Sequence, residues 1–113
     1  MTKQEIFDFM NKNQVCHLAT LEGSKPRVRG MLMYRADSAG IIFHTGAAKD
    51  VFKQIQKNPE VELCFSNNQM ENMVQIRVQG TAVQENDKKL KEEIVANRTF
   101  LKPIVDKFGY DAL

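Results

Sequence analysis

The fold class this sequence predicts is mainly β with flanking helices: a small antiparallel barrel, with one further helix inserted between its strands. Three observations carry the prediction. Short apolar runs of strand character recur with turn signals between them, one stretch (VFKQIQK) interrupts them with helical periodicity, and the chain opens and closes on amphipathic helical segments. A chain of 113 residues can bury a single core without staples, so one domain over 1–113 is expected.

Thr2 and Glu5 form a T-x-x-E capping box, which opens a helix over 3–12 with Ile6, Phe9 and Met10 on one stripe. In VCHLATLEGSKPRV an apolar run, a turn holding Gly23, Ser24 and Pro26, and a second run predict a hairpin. Asp37, Ser38 and Gly40 mark the next turn before GIIFHT. A helix is then expected over 48–57, with Val51, Phe52 and Ile55 on its buried side and Asn58-Pro59 stopping it. VELCFS is a fourth strand. MVQIRVQGTAV is a fifth, with Val74, Ile76 and Val78 facing inward and Gly80 read as a bend or bulge. The barrel strands thus fill about 15–85, and helices follow over about 87–108, with Pro103 in a first turn or at a kink.

Composition excludes several classes. Apolar residues make up 42% and charged residues 27%, as in an ordinary folded domain. A net charge of +2 gives no bulk attraction to nucleic acid. The opening MTKQEIFDFMNK lacks the apolar core of a signal peptide and no window is apolar enough for a membrane span, so a cytoplasmic address is the expectation. Cys16 and Cys64 lie in apolar runs and suit a buried role rather than a disulfide. Neither combines with His17 or His44 at zinc-ligand spacing, so no metal site is expected.

Chemistry concentrates in HTGAAKDVF and KPRVRGMLMYR. A strand that turns through Gly46 into a helix leaves first-turn N–H groups without partners, and Lys49 adds positive charge beside them, which suits a phosphate. Lys49 as a solvated lysine and Gly46 as an ordinary turn glycine fit the pattern equally well. Strict alternation would put Arg27, Arg29, Met31, Met33 and Arg35 on one face. Pairing of that strand with GIIFHT would carry Arg27 or Arg29 toward the helix start, where guanidinium groups can bind phosphate bidentately. Met31 and Met33 would offer polarizable surface to a flat ring, or would fill a core or a dimer interface. Phosphate at one end and rings at the other describe flavin mononucleotide (FMN). No side chain stands out as an acid, base or nucleophile.

Taken together, LATLEGSKPRVRGM, IIFHTGAAKDVFKQI, KNPEVELCF and IRVQGTAV, in this order and spacing, resemble the pyridoxamine 5'-phosphate oxidase-like family of FMN-binding split barrels over residues 4 to 85. The resemblance implies a six-stranded split antiparallel β-barrel that forms a homodimer, with flavin sites at the interface. By position, Arg29 matches the arginine that reaches the flavin phosphate, with Arg27 beside it, and Lys49 matches the lysine after the turn. His44 and Thr45 match the strand-end pair near the phosphate and ribityl chain, Gly46 is the glycine of the turn that follows at the site, and the backbone of Gly30, Met31 and Leu32 would run along the ring system. The activity implied is that of an oxidoreductase in which the bound flavin exchanges hydride with a nicotinamide or small organic partner.

The sequence departs from the family pattern twice. Ala47 and Ala48 stand where relatives often carry a hydroxyl or an arginine, which implies fewer phosphate contacts. The chain has no Trp and lacks the Trp- and Arg-rich C-terminal segment of true pyridoxamine phosphate oxidases, so vitamin B6 synthesis is not expected. Only five strands are read where the family has six. Relatives also use haem or the deazaflavin F420. Haem would need His17 or His44 as an axial donor. A non-catalytic binding or sensing module is the remaining reading.

Overall fold

The structure, a computed structural model, describes residues 1–46 and 49–110. Helix α1 (Lys3–Lys12) precedes β1 (Val15–Glu22), β2 (Lys25–Asp37) and β3 (Gly40–Phe43). Helix α2 (Asp50–Lys57) leads to β4 (Glu60–Ser66) and β5 (Gln75–Thr81). Helix α3 (Lys88–Asn97), a turn of 3-10 helix (Thr99–Leu101) and α4 (Lys102–Phe108) follow. The capping box forms as read: Thr2 Oγ1 accepts the Glu5 N–H at 3.1 Å and the Glu5 carboxylate accepts the Thr2 N–H at 3.4 Å. Pro103 lies in the first turn of α4, where its missing N–H costs nothing.

The strands form one antiparallel sheet in the order β3-β2-β1-β4-β5, curled into the half-barrel of a split-barrel fold with β3 and β5 at its edges. The β1–β2 hairpin runs in register from Val15 opposite Leu32 to Glu22 opposite Lys25. Leu18, Met33, Leu63 and Phe65 project from the concave face into a core closed by Met10 of α1 and Val51 of α2. Strand β4 lies on the far side of β1 and β2 from β3, so α2, which joins β3 to β4, has to cross the sheet.

Several expectations need correction. A bulge between Met33 and Arg35 makes Tyr34 an extra residue opposite β3, so Ala36 faces the core in place of Arg35. Met33 is fully enclosed in that core and is not a ligand surface. Gly80 pairs with Val61 in an unbroken ladder, and a Cβ there would meet no atom within 4 Å, so it is no bulge. Strand β5 is shorter than its apolar pattern, because Met73 (52% exposed) and Val83 (85%) lie outside the ladder. The sheet of the described residues has five strands, not six. No helix is long and apolar enough to cross a membrane.

Phe65 is the largest fully enclosed side chain, and its truncation leaves a cavity that rigid strands cannot close. Phe65→Ala is expected to lower the unfolding free energy by about 3–5 kcal/mol in urea denaturation. A loss below about 1 kcal/mol would contradict the assigned core.

Candidate functional site

The chain leaves β3 after Phe43 and turns through His44, Thr45 and Gly46 toward α2. Ala47 and Ala48, whose missing side-chain contacts were expected to weaken phosphate binding, lie outside the described residues. Lys49 is the N-cap of α2, in extended conformation, and no side chain caps this helix. By contrast, Thr2 caps α1 and Asp87 caps α3. The Lys49 N–H donates to the Gly46 carbonyl at 3.0 Å and the Phe52 N–H to the Lys49 carbonyl at 3.2 Å. That leaves the N–H groups of Asp50 and Val51 without a partner among the described residues, open to solvent or a ligand, with the exposed Lys49 beside them. Asp50 in the same turn offsets part of that positive charge.

Arg29 reaches α2 by a route that strand alternation does not reveal. The β2–β3 ladder covers only Met33 to Asp37, so Arg29 lies on the part of β2 paired with β1. From there its guanidinium donates to Thr20 Oγ1 at 2.7 Å, to the Leu18 carbonyl at 3.4 Å, and to Gln54 Oε1 on α2. Gln54 is buried and engaged at both ends of its amide: Oε1 also accepts the Thr20 hydroxyl at 2.6 Å, and Nε2 donates to Glu22 at 3.0 Å. Glu22 in turn pairs with Arg27 at 3.1 Å on the surface. Hydrogen bonds from Arg27 and then Gln54 hold the Glu22 carboxyl below its usual range. Burial, then the charge of Arg27, depresses Arg29.

Arg29 and Lys49 thus meet α2 at different points, Lys49 at its N-cap and Arg29 at Gln54, the fifth of its eight residues. Gln54 and Lys49 are separated by about 7.5 Å of helix rise. Of the ring-lining candidates, Gly30 lies opposite His17 on the outer side of the sheet, and Met31 packs its side chain against the core. The Met31 carbonyl accepts the Cys16 thiol at 3.4 Å. Burial pushes that thiol up to about 11, as suits an inert core cysteine.

A second cluster surrounds His44, and its centre, Arg98, carries no periodic or motif signal in the sequence. Arg98 ends α3 and is buried. Its Nη1 donates to the Leu32 carbonyl at 3.3 Å and meets His44 Nε2 at 2.9 Å, and its Nη2 donates to the Met33 carbonyl and to Gln14 at 3.4 Å. The guanidinium also lies 5.2 Å from the centre of the Tyr34 ring. Tyr34 donates to Glu93 at 2.6 Å and accepts from Asn97 at 2.9 Å, and Arg35 pairs with Glu93 at 3.2 Å. Burial first, then Arg98 and Lys49, lower the His44 pKa from 6.5 to about 4.

His44 and Thr45 line an apolar cavity of about 720 Å³ between β3, β5 and α3, together with Phe43, Val78, Gly80 and Ile94. Arg29 and Lys49 do not line it. Among the described residues no group of three His, Cys, Asp or Glu side chains is placed to hold a metal ion.

A curled five-stranded antiparallel sheet, with a helix laid across it whose uncapped start lies beside Lys49, defines a split-barrel protein. The family model for pyridoxamine 5'-phosphate oxidase matches residues 2–104, and the chain belongs to that family. No curated protein sequence matches significantly. Among solved structures, a NimC/NimA family protein from Clostridium acetobutylicum is 27% identical, with 88% of this chain and 68% of that one covered and a TM-score of 0.74. A FAD-binding protein from Mesorhizobium loti is 15% identical, with 96% and 78% covered and a TM-score of 0.70. HutZ, the haem-storage protein of Vibrio cholerae, is 17% identical, with 95% and 75% covered and a TM-score of 0.65.

Gln54→Ala strands the Thr20 hydroxyl and one arm of Arg29, so a stability loss of about 2–3 kcal/mol is expected from urea denaturation. A change near zero would mean the network does not anchor α2. His44 gives a pH signature. Its folded pKa lies below the unfolded value, so its contribution is complete above pH 6.5 and is lost as pH falls toward about 4. Wild type should lose more stability than His44→Gln over that window, and equal losses would contradict the burial of a neutral ring.

Proposed function

We propose that this chain binds FMN and works as an oxidoreductase-type homodimer of the pyridoxamine 5'-phosphate oxidase family. The observation that carries the reading is the uncapped start of α2, with Lys49 at it and Arg29 fastened to Gln54 in the following turn. Backbone N–H donors, a helix dipole and a lysine suit a dianionic phosphate. When bound, FMN supplies reversible hydride transfer, with a nicotinamide or a small organic molecule as its partner. In this reading Lys49 and the backbone hold the phosphate, while Arg29 fixes the helix and adds positive potential from its flank. Thr45 and His44 would reach the ribityl chain, and Arg27, half removed by its pair with Glu22, plays the smaller part.

The fold by itself does not choose the cofactor, since one similar structure is a FAD-binding protein and another a haem-storage protein. The residues favour flavin over haem. Arg98 already engages the Nε2 of His44, and His17 lies on the outer stripe of the hairpin, away from the cavity that His44 lines, so neither offers an axial donor in that cavity. A second copy would cover the outer stripe of the hairpin, where Val15 and Val28 are 66% and 69% exposed, with Leu32 and Ala19 opposite them. Gly30 at its centre would let the second sheet approach closely.

Arg29→Ala and Lys49→Ala are each expected to weaken FMN binding by about 1–3 kcal/mol, read from quenching of flavin fluorescence with folding checked by circular dichroism. Unchanged affinity in both variants would refute the phosphate site. Sedimentation velocity should give a dimer, and a monomer with FMN bound would remove the second copy from the site.

A further inference from the structure

Arg98 enters the barrel without a carboxylate partner among the described residues. Its hydrogen bonds go to the carbonyls of Leu32 and Met33, the amide oxygen of Gln14 and the Nε2 of His44. A guanidinium donates and never accepts, so Nε2 must carry the lone pair and the ring proton must reside on Nδ1. That Nδ1–H has no hydrogen-bond partner among the described residues, and the ring lines the cavity next to Thr45. We propose that Arg98 is a positioning residue, which fixes His44 as a neutral Nδ1–H donor for an oxygen-bearing ligand near the start of α2 and withholds its Nε2 from iron.

The surroundings of the ring agree. Arg98 at the end of α3 and Lys49 before α2 are both cationic, and a protonated His44 would set a third positive charge between them. Glu93, on the same helix as Arg98, is engaged by Tyr34 and Arg35. Glu85 and Lys91 line the same cavity, and Phe100 lies tilted against the ring at 6.4 Å. Burial and the two cations hold the ring's pKa at about 4, so it stays neutral wherever the protein is expected to work. The ligand named, an oxygen of the FMN ribityl or phosphate group, rests on the flavin reading, whereas the tautomer does not.

The test is a long-range ¹H–¹⁵N spectrum of the His44 imidazole in the whole protein, without ligand, from about pH 6 to about pH 8. A protonated Nδ1 and a bare Nε2 throughout are expected, with titration only near 4. Arg98→Gln should bring tautomer exchange and an upward shift of the titration, and should weaken FMN binding roughly tenfold. Arg98→Lys, which like arginine donates but cannot accept, should retain the tautomer, whereas the glutamine amide can do both. A wild-type ring protonated on Nε2, or titrating near 6.5, overturns the proposal, as does an Arg98→Gln spectrum identical to wild type. Should Arg98→Gln fail to fold, the wild-type spectrum decides. Failure of FMN to bind any form would refute the flavin reading, and the spectrum would still decide the role of Arg98.

Discussion

The carboxamide of Gln54 sets the geometry of everything near the start of α2. A helix that joins an edge strand to β4 has to cross the sheet, and it buries Val51 and Gln54 as it does so. A buried amide is costly unless its donors and acceptor are matched, and here all its partners belong to the β1–β2 hairpin: Thr20, Glu22 and Arg29. Apolar contacts tolerate a sliding helix, whereas directional bonds to three hairpin side chains fix its rotation and its height. The position of the uncapped first turn, and of Lys49 on it, follows from that lock.

The opposite side of the site depends on an interruption in the sheet. The bulge at Tyr34 locally breaks the β2–β3 ladder, so the carbonyls of Leu32 and Met33 are free to accept from Arg98. The same extra residue turns Arg35 and Tyr34 toward Glu93 and Asn97 of α3. A small apolar cluster of Ile94, Val95 and Leu101, packed on Tyr34 and Ile42, completes the attachment of the C-terminal helices. His44 is held between these two halves, with the hairpin and α2 on one side and the C-terminal segment on the other.

Much of this could be read from the sequence because it is encoded locally. The Thr2–Glu5 capping box, the Asn58-Pro59 stop and the alternation that turns Ile76 and Val78 inward each act over a few residues, although Val74, read with them, lies just outside β5. What escaped is encoded between distant residues. A one-residue bulge leaves no trace in a period-two pattern, so Met33 and Arg35 looked like neighbours on one face. Gln54 carries no signal beside the Val51, Phe52 and Ile55 stripe, and its role appears only where three hairpin side chains surround it. Arg98 carries no signal of its own in the sequence, and only the packing of α3 reveals the carbonyls it meets. Gly80 looked like a bulge because a glycine within a strand usually has a backbone reason, whereas here it borders the open cavity.

The central claim is that the start of α2 holds the terminal phosphate of a nucleotide, and the most direct measurement compares FMN with riboflavin, which has the same ring and chain but no phosphate. Isothermal titration of the purified protein with each should show FMN binding at least about a hundredfold more tightly, as two or more charge-assisted bonds at about 1.5–3 kcal/mol each require. Equal affinity for the two flavins would contradict that claim, since the phosphate would then be making no contact with α2.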